Sequence, residues 1–385
     1  MIKINDKADC CGCTACASIC PKDAILMESD ILGFKYPKVD LEKCIDCGLC
    51  EKVCAFNANY DKSLNLDEPE IYAARHKEMH EIETSRSGAA FIAISDYVLE
   101  NGGIVYGVGY KGHFVVTHKR ATTKEERNEF KGSKYVQSDL DGIFRQVKND
   151  LSSGKMVLFS GTPCQTAGLN SFVGKKLREN LILVDIVCHG VPSPYIWRDY
   201  LTYIENKYKS RVVKVDFRDK SRIGWSGHIE SFIFENGKKI ESVIFKDLYF
   251  KHFISRQSCS ICYFTNFNRP SDFTIGDYWG LNRISNNFNS DNKGCSLLFI
   301  NSQKGDELFK IISKSLNLIH SEKQLCIQPN LVNPSIINTE LKEFINDYQN
   351  NGFKKIISKY SILSFRSKIT LTKEKIKNKI KHFIS

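Results

Sequence analysis

The chain has 385 residues, a net charge of +11 and 15 cysteines; that length supports two or three domains and a sizeable core, so disulfide staples are not required. No apolar leader opens the chain and no run of about 18 apolar residues occurs, so neither a secretory signal nor a membrane span is expected. A cytoplasmic protein is expected, and there clustered thiols point to metal ligation rather than disulfides.

The first stretch, "CCGCTACASICP", contains Cys10, Cys13, Cys16 and Cys20 in the order C-x2-C-x2-C-x3-C-P, and Cys44, Cys47, Cys50 and Cys54 repeat the spacing with Ala55 in place of proline. This is the dicluster ferredoxin pattern, in which three cysteines of each run hold one 4Fe-4S cluster and the fourth holds the other. One cluster is therefore assigned to Cys10, Cys13, Cys16 and Cys54, and its twin to Cys44, Cys47, Cys50 and Cys20. Cys11 falls outside both sets. Two structural zinc sites fit poorly, because zinc takes cysteines in pairs with no third one two residues on.

Residues 1–60 are expected to form this ferredoxin-like domain, and the polar "DKSLNLDEPE", residues 61–70, reads as a linker. From Ile71 the texture is α/β. "SGAAFIAISDYVLENGG" reads as a capped helix and "GIVYGVGY" as a strand; "TTKEE" offers a capping box of Thr122 with Glu125, and "LDGIFRQVKNDLSSG" is a helix ending on Gly154. "KMVLFSG" and "LILVDIVC" are near-continuous apolar strands, which imply a largely parallel sheet. "HIESFIFE" and "KKIESVIF" flank Asn236-Gly237 as a hairpin; "DFTIGDYW" and "SLLFINS" are further strands, and "KGDELFKIISKSL" is a late helix. The expected division is 71–150 and 151–330 for two parts of the α/β region, with 331–385 as a basic tail. Residues 351–385 hold ten Lys or Arg against one acid, Glu374. Ile369, Ile376, Ile380 and Phe383 recur near helical spacing there, which suits an anionic membrane surface or an acidic partner, beside the plainer reading of a solvated terminus. Specific nucleic-acid binding is not expected, since no recognition fold accompanies the charge.

A second set of thiols is scattered. "FSGTPCQ" puts Cys164 at a helix start, "DIVCHGVPSP" puts Cys188 at a strand end, and "RQSCSICYF" supplies Cys259 and Cys262. In a parallel sheet the first two lie on the same side. Each has a plain alternative: Cys188 as a small core residue, and the C-x2-C as half a zinc ribbon. These four could close a third 4Fe-4S site, while Cys295 and Cys326 are left as packing residues.

"TSRSGAAF" sets Ser85, Arg86, Ser87 and Gly88 at a helix start, where unsatisfied amides suit a phosphate, and "KGSKY" adds Lys131, Gly132, Ser133, Lys134 and Tyr135. A plain helix cap is the alternative. His189 could hand on a proton or order the strand end, and Asp277 could face a cofactor or close a turn. No G-x-G-x-x-G follows a strand, so direct NAD binding is not favoured.

Taken in order, "SRSGAAF", "FKGSKYVQSD", "LFSGTPCQ", "VCHGVPSP", "SCSIC" and "SDFTIGDYWG" make residues 1–330 resemble the beta subunits of coenzyme F420 reducing hydrogenases and dehydrogenases with a ferredoxin domain in front. The resemblance implies that Cys164, Cys188, Cys259 and Cys262 ligate a 4Fe-4S cluster beside a flavin bound near residues 85–88 and 131–135, FAD being preferred over FMN. Family members usually carry a second glycine where this chain has Ala89. The expected function is an iron–sulfur flavoprotein oxidoreductase, linking an electron donor or acceptor protein to an organic or deazaflavin hydride partner. Its alternatives are a non-catalytic electron-transfer subunit and a thiol or disulfide reductase, the latter lacking a spare C-x-x-C.

Overall fold

The computed structural model describes residues 1–56, 62–63 and 65–363. Its strands, in chain order, are β1 (Ile25–Ser29), β2 (Lys35–Val39), β3 (Asn65–His76), β4 (Ile104–Lys111), β5 (Val115–Ala121), β6 (Val157–Gly161), β7 (Leu181–Ile186), β8 (Val212–Asp216), β9 (Glu230–Phe234), β10 (Lys239–Ser242), β11 (Phe273–Asp277), β12 (Ser296–Ser302) and β13 (Leu316–Ser321). The main sheet has the order β13-β3-β12-β11-β7-β6-β4-β5.

Its centre is parallel: Val105 lies beside Leu158, Phe159 beside Leu183, and Val184 beside Phe273. These strands are the apolar runs of the sequence, buried because helices cover both faces. Helix Ala90–Glu100 and helix Gln303–Ile312 pack on one face, while helices Ile143–Ser152 and Pro163–Val173 pack on the other. The flanking pairs, β4 with β5 and β11, β12, β3 and β13 in succession, are antiparallel, so the sheet as a whole is mixed. Because β3, β4, β6 and β12 share one sheet, the division at residue 150 follows no structural boundary.

The N-terminal region is not a separate lobe. Cys11, Cys13, Ala15, Val53, Ala55 and Phe56 share a core with Phe144, Phe159, Leu169 and Phe264, and Leu32 and Phe34 join the aromatic cluster of Trp197, Phe217 and Phe245. The end of this domain at residue 60 lies outside the described residues. The linker over 61–70 needs correction: from Asn65 the chain is already β3, pairing with β12 and β13. Its polar first half is partly exposed, which removed the apolar signal of a strand.

Three smaller expectations also shift. The N-cap sits one residue later and makes no full capping box: Thr123 Oγ1 accepts from Glu126 N at 3.3 Å, while the Glu126 carboxylate accepts from Thr122 N at 2.7 Å instead of from the cap's own N–H. The second hairpin strand stops at Ser242, and helix Ile244–Phe250 follows because Ile244, Phe245, Leu248 and Tyr249 then face the core at helical spacing. Residues 331–363 are folded rather than tail: helix Leu341–Tyr360, kinked at Gly352, buries Leu341, Phe344, Tyr348, Phe353, Ile356, Ile357 and Tyr360. The proposed amphipathic contacts Ile369, Ile376, Ile380 and Phe383 lie outside the described residues. No helix among the described residues is long and apolar enough to cross a membrane.

The aromatic cluster encloses a carboxyl group. Glu230 on β9 is 1% exposed and accepts from Tyr200 Oη at 3.0 Å, and burial pushes its pKa from 4.5 up to about 8. Between those two values the folded chain holds a proton that the unfolded chain has released. The contribution of Glu230 to stability is therefore fullest below pH 4.5, falls as pH rises, and stops falling above about 8. Glu230→Gln should flatten that fall, measured as the denaturation midpoint at intervals across this window.

Candidate functional site

The three thiol sets form three sites. Cys20, Cys44, Cys47 and Cys50 line an outer cavity of about 370 Å³. Backbone amides already donate to two of these sulfurs, Ala24 N to Cys20 Sγ at 3.3 Å and Ile2 N to Cys50 Sγ at 3.2 Å. Such N–H···S bonds stabilise thiolate and cluster charge.

Cys10, Cys13, Cys16 and Cys54 form the second site. The Cys16 thiol is pushed up first by burial, then by like charge at Cys13, Cys10 and Cys54, which marks the four as neighbours. Gly12 N donates to Cys10 Sγ at 3.4 Å. Helix Pro163–Val173 packs tightly here: a Cβ on Gly168 would stand 2.7 Å from Cys13 Sγ.

Cys164, Cys188, Cys259 and Cys262 line an inner cavity of about 430 Å³, joined by Cys11, Phe56 and Arg256. The parallel pairing of β6 with β7 carries Cys164 and Cys188 to the same sheet edge. Burial, then like charge at Cys259, Cys164 and Cys262, pushes the Cys188 thiol up. Burial likewise raises Cys259 to about 12 and Cys262 to about 11. Cys164 is lowered to about 7, chiefly by a hydrogen bond from Cys11 and also by Thr162, whose Oγ1 lies 3.2 Å from its sulfur. Gly190 N donates to Cys188 Sγ at 3.3 Å. Among the described residues no three His, Cys, Asp or Glu groups converge closely enough to hold a single metal ion. A 4Fe-4S cube spreads its thiolates over separate irons, so these wider sets fit a cube better than zinc.

Two buried arginines organise these sites, and neither was singled out from sequence. Arg269 pairs with Asp185 at 2.9 Å, both side chains 0% exposed, and also donates to Phe264 O and Ile186 O. It thereby ties the segment after Cys262 to the strand leading into Cys188. Arg256, 1% exposed, donates to Cys10 O at 2.7 Å, Gln137 Oε1 at 2.9 Å and Lys35 O at 2.9 Å, with its guanidinium 4.2 Å from the Tyr36 ring centre. Its charge favours the thiolate forms of Cys10, Cys13, Cys164 and Cys259. Only context reveals these roles, since a lone arginine carries no motif. Cys11, set aside in the sequence, is buried in one core with Cys13 and lines the inner cavity beside Cys164. Cys295 and Cys326 are packing residues in a core apart from the three sites.

A cavity of about 1400 Å³ opens at the C-terminal ends of the parallel strands. It brings together Ser85, Arg86, Ser87, Lys131, Gly132, Ser133, Lys134, Tyr135, His189 and Asp277. Thr162, Cys188, Gly190 and Val191 line both this cavity and the inner thiol cavity. Gly88 is not on its wall; a Cβ there would stand 2.1 Å from Ala74 O, so this glycine permits helix–sheet contact instead. Next to it, Ala89 is the N-cap of helix Ala90–Glu100 in the left-handed region, φ 64 and ψ 27.

The two lysines have other partners. Lys131 Nζ pairs with Glu81 at 2.6 Å, and Lys134 Nζ donates to Glu129 O and Lys131 O, with burial lowering its pKa to about 7. Among the described residues, Ser85 Oγ, Arg86 Nε and His189 Nε2 remain unpaired. Arg86 is braced by the Arg218, Trp225 and Gly227 carbonyls, and His189 by Asn330 at 2.9 Å. Asp277 accepts from Arg218 and, at 2.7 Å, from Trp225 Nε1. Sequence reasoning also missed the chain from His118 through Ser138 and Gln165 to Thr162, which stiffens the wall beside Cys164.

Paired cysteine runs folded into one core with an α/β sheet define an iron–sulfur electron-transfer protein. Residues 9–58 match the model of the 4Fe-4S dicluster domain, and residues 154–323 that of the C terminus of the coenzyme F420 hydrogenase/dehydrogenase beta subunit. The chain thus carries, over residues 154–323, the C-terminal part of the coenzyme F420 hydrogenase/dehydrogenase beta-subunit family, and over residues 9–58 an N-terminal dicluster domain. An uncharacterized ferredoxin of Methanocaldococcus jannaschii is 38% identical over 55 residues, 14% of this chain and 70% of that protein. A chain of the xenon-derivatized F420-reducing NiFe hydrogenase complex from Methanosarcina barkeri aligns with TM-score 0.47 and 16% identity, over 77% of this chain and 92% of that one.

Arg256→Met should cost about 3 kcal/mol or more, because it strands buried carbonyls, and should lower the denaturation midpoint of the full chain. Ala89→Gly should raise stability by about 0.5–1 kcal/mol by relieving a left-handed alanine, read from the same measurement.

Proposed function

We propose that this chain is an iron–sulfur flavoprotein oxidoreductase, passing electrons between a protein carrier, three 4Fe-4S clusters and a flavin that exchanges hydride with an organic or deazaflavin partner. The single observation that carries this reading is the wall shared by the inner thiol cavity and the large cavity, at Thr162, Cys188, Gly190 and Val191. One residue layer would separate a cluster held by Cys164, Cys188, Cys259 and Cys262 from a ring in the next cavity.

A flavin supplies the exchange of electron pairs on one side for single electrons on the other. The residues present fit it. Ser85 Oγ and Arg86 Nε are unpaired on the cavity wall, a donor pair suited to a phosphate, and the Tyr135 ring offers a stacking surface. His189, held through Nδ1 with Nε2 free, is the candidate to hold or deliver a proton at Nε2. Lys134, with its ammonium taken up by two backbone carbonyls, shapes the loop rather than meeting an anion. The ferredoxin assignments follow the same logic: Cys10, Cys13, Cys16 and Cys54 hold the middle cluster, and Cys20, Cys44, Cys47 and Cys50 the outer one. We further infer a cytoplasmic protein that works with partner subunits, as the family's name suggests.

A second reading, a non-catalytic electron-transfer subunit, is favoured by the prior engagement of Lys131 and Lys134. Anaerobic purification of the full chain separates the two. The first reading expects about 12 irons and one flavin per chain, with hydride oxidation in the absence of other proteins. About eight irons and no flavin would overturn it. Cys164→Ser should remove about four irons and leave the ferredoxin pair's spectrum in place; survival of all signals would refute the inner ligand set.

A further inference from the structure

We propose that the Thr162 hydroxyl donates a hydrogen bond to the Cys164 thiolate and holds the reduction potential of the inner cluster above the value it would have without that bond. The inference rests on Cys164, Cys188, Cys259 and Cys262 holding that cluster, as proposed above. Thr162 stands between β6 and helix Pro163–Val173, on the wall shared by the inner thiol cavity and the large cavity. Its Oγ1 lies 3.2 Å from Cys164 Sγ. A cysteine sulfur bound to iron is a thiolate without a proton, so of the two atoms only the hydroxyl can donate.

A directional chain of hydrogen bonds holds Thr162 in place. The Ser160 carbonyl can only accept, so His118 Nε2, 3.0 Å away, carries the ring proton. His118 is buried and stacked on Phe159 with ring centres 4.9 Å apart, and burial lowers its pKa to about 4, which leaves Nδ1 bare at neutral pH. Ser138 Oγ therefore donates to Nδ1 at 3.0 Å and accepts from Gln165 Nε2 at 3.1 Å. Gln165 in turn presents Oε1 to Thr162 N at 2.9 Å. That chain ends on the Thr162 backbone and leaves its hydroxyl proton for the sulfur.

Four other assigned ligand sulfurs, those of Cys10, Cys20, Cys50 and Cys188, accept from backbone amides, which a change of side chain does not remove. At Cys164 the donor belongs to a side chain and is open to adjustment. A hydrogen bond to a ligand sulfur strengthens as the cluster gains negative charge, so it favours the reduced form and raises the potential. Gln165, Ser138 and His118 act through Thr162 and are positioning residues. The tuned sulfur lies beside the wall of the large cavity, so a raised potential favours the electron on the cluster side of that wall.

The test is a redox titration of the full chain purified without oxygen, followed by electron paramagnetic resonance, in which the inner cluster's signal is the one that Cys164→Ser removes. Thr162→Val keeps the side-chain shape and the backbone N–H but lacks the hydroxyl. At a fixed potential it should lower the reduced-to-oxidised ratio of the inner cluster about fivefold to tenfold, tenfold being about 59 mV for a one-electron couple. Thr162→Ser should keep the original midpoint, and the ferredoxin pair should titrate unchanged in both. Ser138→Ala retains the hydroxyl but frees the Gln165 amide, and should move the inner midpoint the same way by a smaller factor. An unmoved or raised inner midpoint in Thr162→Val overturns the proposal, as does an equal fall in Thr162→Ser. Loss of the inner cluster in Thr162→Val with no shift in Ser138→Ala also overturns it, and marks Thr162 as a structural cap. About eight irons in the unmodified chain, with no signal for Cys164→Ser to remove, overturns the inner ligand set and this proposal together.

Discussion

A single buried cation holds the architecture together. Arg256 comes from the segment just before Cys259, yet its hydrogen bonds end on the backbone at Cys10 and Lys35 and on the side chain of Gln137. It therefore joins the N-terminal domain, the loop beside the large cavity and the inner thiol segment at one point. A guanidinium so far from water is sustained only by full hydrogen bonding and by the Tyr36 and Phe34 ring faces. Gly12 is part of the same constraint, since a Cβ there would stand 2.9 Å from Arg256 Nη1.

The sheet does the remaining positioning. Parallel strands end on one side, and that edge collects Cys164 after β6, Cys188 after β7 and Asp277 at the end of β11. The buried Arg269–Asp185 pair then fixes the segment bearing Cys259 and Cys262 against the same edge. Removing one partner would leave an uncompensated buried charge, a far larger penalty than the pair's net worth.

Sequence patterns carried the parts of the fold with strong local signals. The cysteine runs, the apolar strands β6, β7 and β12, the Asn236-Gly237 hairpin and the helix opened by Pro163 all stand where their residues indicate. What escaped was non-local. The polar half of β3 pairs with strands more than 200 residues away, and nothing near residue 65 announces that. Helix Leu341–Tyr360 hid beneath a lysine-rich composition, although its apolar spacing was present. In the large cavity the residue types were legible, but their allegiances were not. Lys131 turns to Glu81, and Gly88 serves packing, because side-chain partners are chosen by the tertiary neighbourhood.

The common core beneath Cys11, Cys13, Phe56 and Phe144 has one more consequence. On the proposed reading, the passage from the middle thiol set inward needs no search, collision or hinge, only tunnelling through a lattice whose atoms are already in register. Dilution and ionic strength should leave that inner leg untouched. Traffic through the molecule would then be metered at its two ends, where a protein carrier and a hydride partner each have to be met in solution.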